Sequence, residues 1–253
     1  MEINFTLLHQ KLFIQGLLEM SAQEIIKLLK GLADPVRAEH SQRYFKTGKG
    51  EYGEGDRFLG IRVPVLREQI RHCGAVTLDE VQKLLLSDFH EVRLFALLVL
   101  VRQFTKGNAE EKAAIYRLYL DNTQRINNWD LVDSSASYIV GGFLESRDRK
   151  VLYALARSES IWERRIAIIA TFKFIGNHQF DDALKLAKLL LNDKEDLIHK
   201  AVGWALREIG KRDRAVEEAF LQAHNKKMPR TMLRYAIEKF SDAARKKYLA
   251  GDV

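Results

Sequence analysis

Apolar positions recur with a helical period over nearly the whole chain, and the strict apolar–polar alternation of a half-buried strand is almost absent. From Thr77 onward two kinds of segment alternate. The first carries a single apolar stripe, and the one that follows is apolar almost all round. The pairs are 77–86 with 89–105, 109–121 with 127–143, 148–156 with 160–176, 180–191 with 195–210, and 212–223 with 230–248. No such pair can bury its own apolar face, so neighbouring pairs must stack on one another.

A helix pair repeating every ~35–45 residues marks HEAT-like or armadillo-like arrays. The pattern therefore predicts an all-α fold, a HEAT-like helical-repeat solenoid with first helices on a convex layer and second helices on a concave one. A single helical-repeat domain is expected over 1–253: N-terminal helices over about 1–45, a glycine-rich loop at 46–60 and helix pairs over about 61–248. Local signals support the helix starts. Ser21-Ala22-Gln23-Glu24 and Thr77-Leu78-Asp79-Glu80 read as capping boxes, and Asp34-Pro35 sets a capping acid before a first-turn proline. Pro64 can open a helix in the same way. The stretch Met1 to Met20 reads as an amphipathic helix rather than a signal peptide, because Glu2, His9, Lys11 and Glu19 interrupt its apolar pattern.

The exception is Lys46 to Gly60, KTGKGEYGEGDRFLG, whose glycines at 48, 50, 53, 55 and 60 predict an ordered loop with unusual dihedrals. It lacks the G-x-x-x-x-G-K-[ST] order of a nucleotide-binding P-loop, and no apolar strand precedes it. A connector and a basic loop touching a partner are equally compatible with it.

One charged position recurs in the second helices. Arg93, Asp133, Arg165, Lys200 and Arg234 each stand near the start of an apolar run, at steps of 40, 32, 35 and 34 residues. Four are cations and one is a carboxylate. A helix N-terminus carries partial positive charge and favours acids, so cations there are mildly unfavourable unless an anion sits nearby. Taken singly, each cation could equally snorkel or pair with an adjacent acid. Four in register point to a surface for a polyanion, and the lone acid among them points to chemistry on it. Trp129 precedes Asp133 by four residues and Trp204 follows Lys200 by four, so each indole shares the helical face of a slot residue. Trp162 precedes Arg165 by three. Core packing is the commoner fate of an indole, and a helix-start acid is the commoner fate of an aspartate; Asp130, nearer the start, competes for the second role.

A net charge of +7 agrees with an anionic partner, although many basic proteins merely stay in solution. A single cysteine, Cys73, excludes an internal disulfide and a cysteine-rich metal site. The histidines at 9, 40, 72, 90, 178, 199 and 224 form no metal-spaced pair. The longest apolar run, Leu94 to Val101, is too short to cross a bilayer. A cytoplasmic monomer with no membrane contact, no metal and no cofactor is expected.

The segments FLGIRVPVLR, NNWDLVDSSA, IWERRIAII and HKAVGWALRE, together with the glycine loop, resemble the AlkD-type DNA alkylation repair family from about Ser41 to Phe240. That family comprises HEAT-like DNA glycosylases that excise alkylated purines. The resemblance implies that Asp133 matches the family's catalytic aspartate, Trp129 and Trp204 its two cleft tryptophans, and Arg165 its arginine beside the DNA backbone at the lesion. Arg93, Lys200 and Arg234 would grip phosphates of the duplex. Asn128 stands where some members carry another aromatic. The implied activity is a monofunctional glycosylase acting on N3- or N7-alkylated purines in double-stranded DNA, by attack through the sugar without a base-reading pocket. Two other functions remain open at this stage: a non-catalytic protein that binds distorted or branched DNA, and a scaffold for proteins. Asp133 with both indoles argues against the first, and four cations with one acid argue against the second.

Overall fold

The computed structural model describes residues 19–252; the helix expected over Met1–Met20 lies almost entirely outside them. The described residues form helices and turns with no named strand, and the one isolated bridge joins Arg57 to Phe89. No described helix is long and apolar enough to cross a membrane. The fold is all-α and built of helix pairs, in two compact units, Met1–Ser134 and Ser135–Val253.

The first unit contains α1 (Ala22–Gly31), α2 (Pro35–Tyr44), α3 (Val63–His72), α4 (Leu78–Leu85), α5 (His90–Lys106), α6 (Ala109–Asp121) and the short α7 (Trp129–Asp133). Its axis is α5, in which Val92, Phe95, Ala96, Leu97 and Leu100 are fully buried while α3, α4 and α6 pack around it. The capping box at Ser21 and Glu24 is present, and Asp34 accepts from the Arg37 amide at 3.0 Å. The box at Thr77 is only half formed. Thr77 accepts from the Glu80 amide, but the Glu80 carboxylate turns away to accept from the Ala22 amide at 2.6 Å, which ties the start of α1 to α4.

The second unit contains a π-helical turn (Ser137–Gly141), then α8 (Gly142–Leu144), α9 (Lys150–Leu155), α10 (Ile161–Ala170), α11 (Phe172–Gly176), α12 (Asp181–Leu189), α13 (Asp196–Gly210), α14 (Arg214–His224), α15 (Arg230–Ala236) and α16 (Asp242–Ala250). Here α13 is the axis, packed against α10, α12, α14 and α15. Two second helices are broken. The one expected over 127–143 is a single turn followed by the π-turn, and the one expected over 230–248 stops at a 3-10 turn, Ile237–Lys239. After Phe240 the chain is extended, and Ser241 caps α16 by accepting from the Ala244 amide.

The charged slot has a structural use that the periodicity did not reveal. Arg93 reaches the Arg125 carbonyl at 3.1 Å and Arg165 the Leu197 carbonyl at 2.5 Å, each 32 residues ahead, so each fastens its helix to the approach of the next second helix. Arg149 and Arg164 do similar work through Asp182 at 2.9 Å and Asp193 at 2.6 Å.

One buried acid lacks such a partner. Glu217 lies against Gly210, where a Cβ would collide with its carboxylate, and its Oε1 has no hydrogen-bond partner among the described residues. Burial pushes this carboxyl up to about 8, against the pull of Arg214. The unfolded chain releases this proton in the ordinary carboxylate range and the folded chain retains it. Stability therefore declines as pH rises from about 4.5 and levels off above about 8. Glu217→Gln, which keeps the shape without the ionisation, should raise the melting midpoint at pH 8 by a few degrees and leave it nearly unchanged at pH 4.5, read by thermal melts across that range.

Candidate active site

The segment NNWDLVD is held by a buried polar network whose parts come from three places in the first unit. Asn128 is fully buried and caps α7, its Oδ1 accepting from the Trp129 amide at 2.9 Å. Its side-chain nitrogen faces Gly53 of the glycine loop, where any Cβ would also strike the Phe45 carbonyl. The position expected to correspond to an aromatic is therefore an interior cap. Asn127 accepts from Arg93 at 3.0 Å and donates to Asp56 at 3.4 Å. Asp130 accepts from the Leu131 amide at 2.9 Å through Oδ1, and its Oδ2 meets His90 Nε2 at 2.9 Å. Asp130 thus fills the helix-start role for which it competed with Asp133.

The glycine loop is the other half of this anchor. Gly60 adopts φ 80°, and a Cβ there would overlap the Asp34 carbonyl, so only glycine lets the loop pass the start of α2. The amides of Leu59, Gly60 and Ile61 all donate to the buried Glu91 carboxylate, at 2.8, 2.7 and 3.2 Å. That fixes Asp56, whose Oδ2 meets His90 Nδ1 at 3.0 Å and whose Oδ1 accepts from Arg93 at 2.5 Å. Gly53, Asp56 and Phe58–Gly60 of the loop form a buried anchor, while Gly48–Glu51, Glu54, Gly55 and Arg57 are exposed, so both uses of the loop stay open. Burial alone would raise the Asp56 carboxyl, but the bond from His90 and the Arg93 cation hold it below its ordinary value. Burial alone would depress the His90 imidazole, but the Asp130 and Asp56 carboxylates raise it to about 9.

Trp129 leaves this network half-exposed. It stacks on Phe45 at 5.2 Å, with Tyr44 edge-on at 6.1 Å, and Phe45 in turn stacks on Phe58 at 5.0 Å. The His90 ring completes the pile, 4.5 Å from Phe58. Asp133 closes the same single turn of helix and is also half-exposed, not sealed in the core. A cavity of about 560 Å³ elsewhere in the unit, between Ile70, Cys73, Val99 and Arg102, includes none of these residues.

The four cations of the slot do not share one environment. Arg93 is 3 % exposed, and its guanidinium donates to Asp56, Asn127 and the carbonyls of Arg125 and Ser87. A group so buried and so engaged does not present itself to a phosphate, so the expectation of a DNA contact at Arg93 is corrected to an internal anchor. Arg165 is also buried, at 4 % exposure, with Nη1 on Leu197. Lys200 is half-exposed beside Asp196 at 2.8 Å, and Arg234 is exposed on α15. Trp204 is half-buried on α13, donating to Glu208 at 3.2 Å with Phe172 edge-on at 4.7 Å. Trp162 is buried in the core.

Residues 25–240 match the family model described as DNA alkylation repair enzyme. This chain belongs to that family. A solved structure described as "Predicted DNA alkylation repair enzyme from Enterococcus faecalis" has the same fold: TM-score 0.63 at 19 % identity, covering 83 % of this chain and 97 % of that one. No curated protein sequence matches this chain. Membership makes the protein an enzyme of DNA alkylation repair, with DNA as its substrate. Within that frame, sequence reasoning missed Asp56 and Asn127 altogether, and missed the anchoring roles of His90 and Asn128. These four residues give no periodic signal, because they meet only when the loop folds back beneath α7.

Proposed function

We propose that the protein is a monofunctional DNA glycosylase that hydrolyses the N-glycosidic bond of N3- or N7-alkylated purines in duplex DNA, acting as a monomer. The observation that supports this best is α7 itself. It is a single turn of helix pinned by Asn127, Asn128 and Asp130, with Trp129 and Asp133 on it only half-buried. A rigid mount under a carboxylate that is not sealed in the core is what electrostatic catalysis requires.

The chemistry follows from the substrate. A purine alkylated at N3 or N7 is cationic and departs as a neutral base, so its leaving group needs no protonation. Positive charge then develops on the deoxyribose. The Asp133 carboxylate stabilises that charge and orients the attacking water. The ring face of Trp129 adds cation–π stabilisation, and Trp204 carries the same role in this proposal. The water ends on C1′, its proton passes to solvent, and the product is an abasic strand that remains intact. Incubation with duplex containing 7-methylguanine tests this: free base and an alkali-labile site are expected. A borohydride-trapped covalent adduct would contradict the monofunctional assignment, and DNA binding without base release would favour the binding-only reading.

Lys200 and Arg234 are proposed to contact phosphates, with Arg165 beside the backbone at the lesion. Such contacts position the duplex without reading sequence. Lys200→Ala and Arg234→Ala should each weaken binding to any duplex and lower the slope of log affinity against log salt by about one, with at most a small loss of thermal stability where Lys200 gives up its pairing with Asp196. Arg165→Ala should lower both binding and stability, because it also releases the Leu197 carbonyl. Fluorescence titrations at two salt concentrations, with parallel melts, separate the two classes.

A further inference from the structure

We propose that His90 is a positioning residue for Asp133: bridged between Asp56 and Asp130, it holds the first turn of α7 in place, and loss of its proton releases that turn. This rests on the reading of Asp133 above and adds to it a residue that does not touch DNA.

The geometry requires a charged ring. Nδ1 faces a carboxylate oxygen of Asp56 at 3.0 Å and Nε2 faces one of Asp130 at 2.9 Å. A neutral imidazole has one N–H and one lone pair, so it can satisfy only one of these oxygens and must repel the other. Imidazolium donates to both. The groups facing His90 are Asp56 from the glycine loop, Asp130 from α7, and the Phe45 and Phe58 rings; Arg93, on its own helix, acts through Asp56. With His90 protonated, two carboxylates meet two cations. Without that proton a buried negative charge is left over, and Arg93 keeps hold of Asp56. Asp130 is the partner free to leave. It is also the residue whose other oxygen accepts from the Leu131 amide, so its departure loosens the turn that carries Trp129 and Asp133. Trp129 is placed to sense the same change through Phe45, against which it and His90 both lie, at 5.2 and 5.1 Å.

The test is the pH profile of single-turnover base release from 7-methylguanine duplex between pH 6 and 10, corrected for spontaneous loss, with melts confirming the fold at each pH. The wild-type rate should fall on an alkaline limb near pH 9, where His90 loses its proton. His90→Gln should be slower at pH 7 by about tenfold or more and should lack the limb. Asp130→Asn, which removes one anionic neighbour and keeps the ring, should move the limb to lower pH. A His90→Gln enzyme with the wild-type rate or an unchanged limb overturns the proposal; if that variant does not fold, an unmoved limb in Asp130→Asn does so. The indole N–H resonance of Trp129 gives a readout independent of activity. It should titrate with the same midpoint in the wild type and not in His90→Gln. Absence of base release from the wild type would refute the glycosylase reading alone, and a flat indole titration would refute the positioning role alone.

Discussion

Asp133→Asn should reduce release of 7-methylguanine from alkylated duplex by about a thousandfold, the scale on which removal of one well-placed electrostatic group acts on a charged transition state. The substitution keeps the size of the side chain and removes its charge. Binding of undamaged duplex should fall little, because Lys200 and Arg234 are unaltered and a carboxylate repels phosphate rather than attracting it. Parallel melts check that the fold survives the substitution. Single-turnover kinetics beside a binding titration separates these quantities. A variant that binds and releases base as the wild type does would remove Asp133 from the chemistry.

Asp56→Ala should cost the first unit about 3–5 kcal/mol, the range for deleting one partner of a buried ion pair. The deletion strands two buried cations, Arg93 and His90, and takes an acceptor from Asn127. Urea denaturation should show a lower midpoint with an unchanged slope; a loss below about 1 kcal/mol would mean that the network does not hold the fold. The same residues set the pH window. The contribution of Asp56 is present above its ordinary value of 3.8 and is lost as pH falls through its lowered folded value. The contribution of His90 is complete below its ordinary value of 6.5 and is lost as pH rises through about 9. Glu217 adds a decline above about 4.5, so the stability maximum should lie on the acid side of neutrality.

The architecture was legible in the sequence because a buried helix pair writes its period into every residue. The observed α4, α5, α6, α12 and α13 end within one or two residues of the ranges expected for them. The breaks were not legible. Leu131, Val132, Ile139 and Val140 continue an apolar run across the change from α7 to the π-turn, and burial alone does not distinguish one helical winding from another. The slot at 93, 133, 165, 200 and 234 was real as a register and misleading as a single function. The start of a second helix faces the approach to the next second helix as well as solvent, so a long guanidinium there can turn inward to a carbonyl 32 residues ahead, as Arg93 and Arg165 do. Lysine has no planar fork to satisfy several acceptors, and Lys200 stays at the surface beside Asp196. His90 reads as an isolated histidine in the sequence because both of its partners are distant, Asp56 by 34 residues and Asp130 by 40.

The central claim is that the carboxylate of residue 133 meets positive charge at the deoxyribose. Its most direct test avoids turnover altogether. Affinity is measured for two duplexes that differ at one abasic position, one carrying a cationic pyrrolidine in place of the sugar and the other a neutral tetrahydrofuran. The wild type should prefer the cationic site by a hundredfold or more, as expected for a mimic of the charge in the transition state, at about the lower limit of such preferences. Asp133→Asn should bind the two nearly alike. Equal affinity of the wild type for both duplexes, or a preference that survives in Asp133→Asn, would contradict the account.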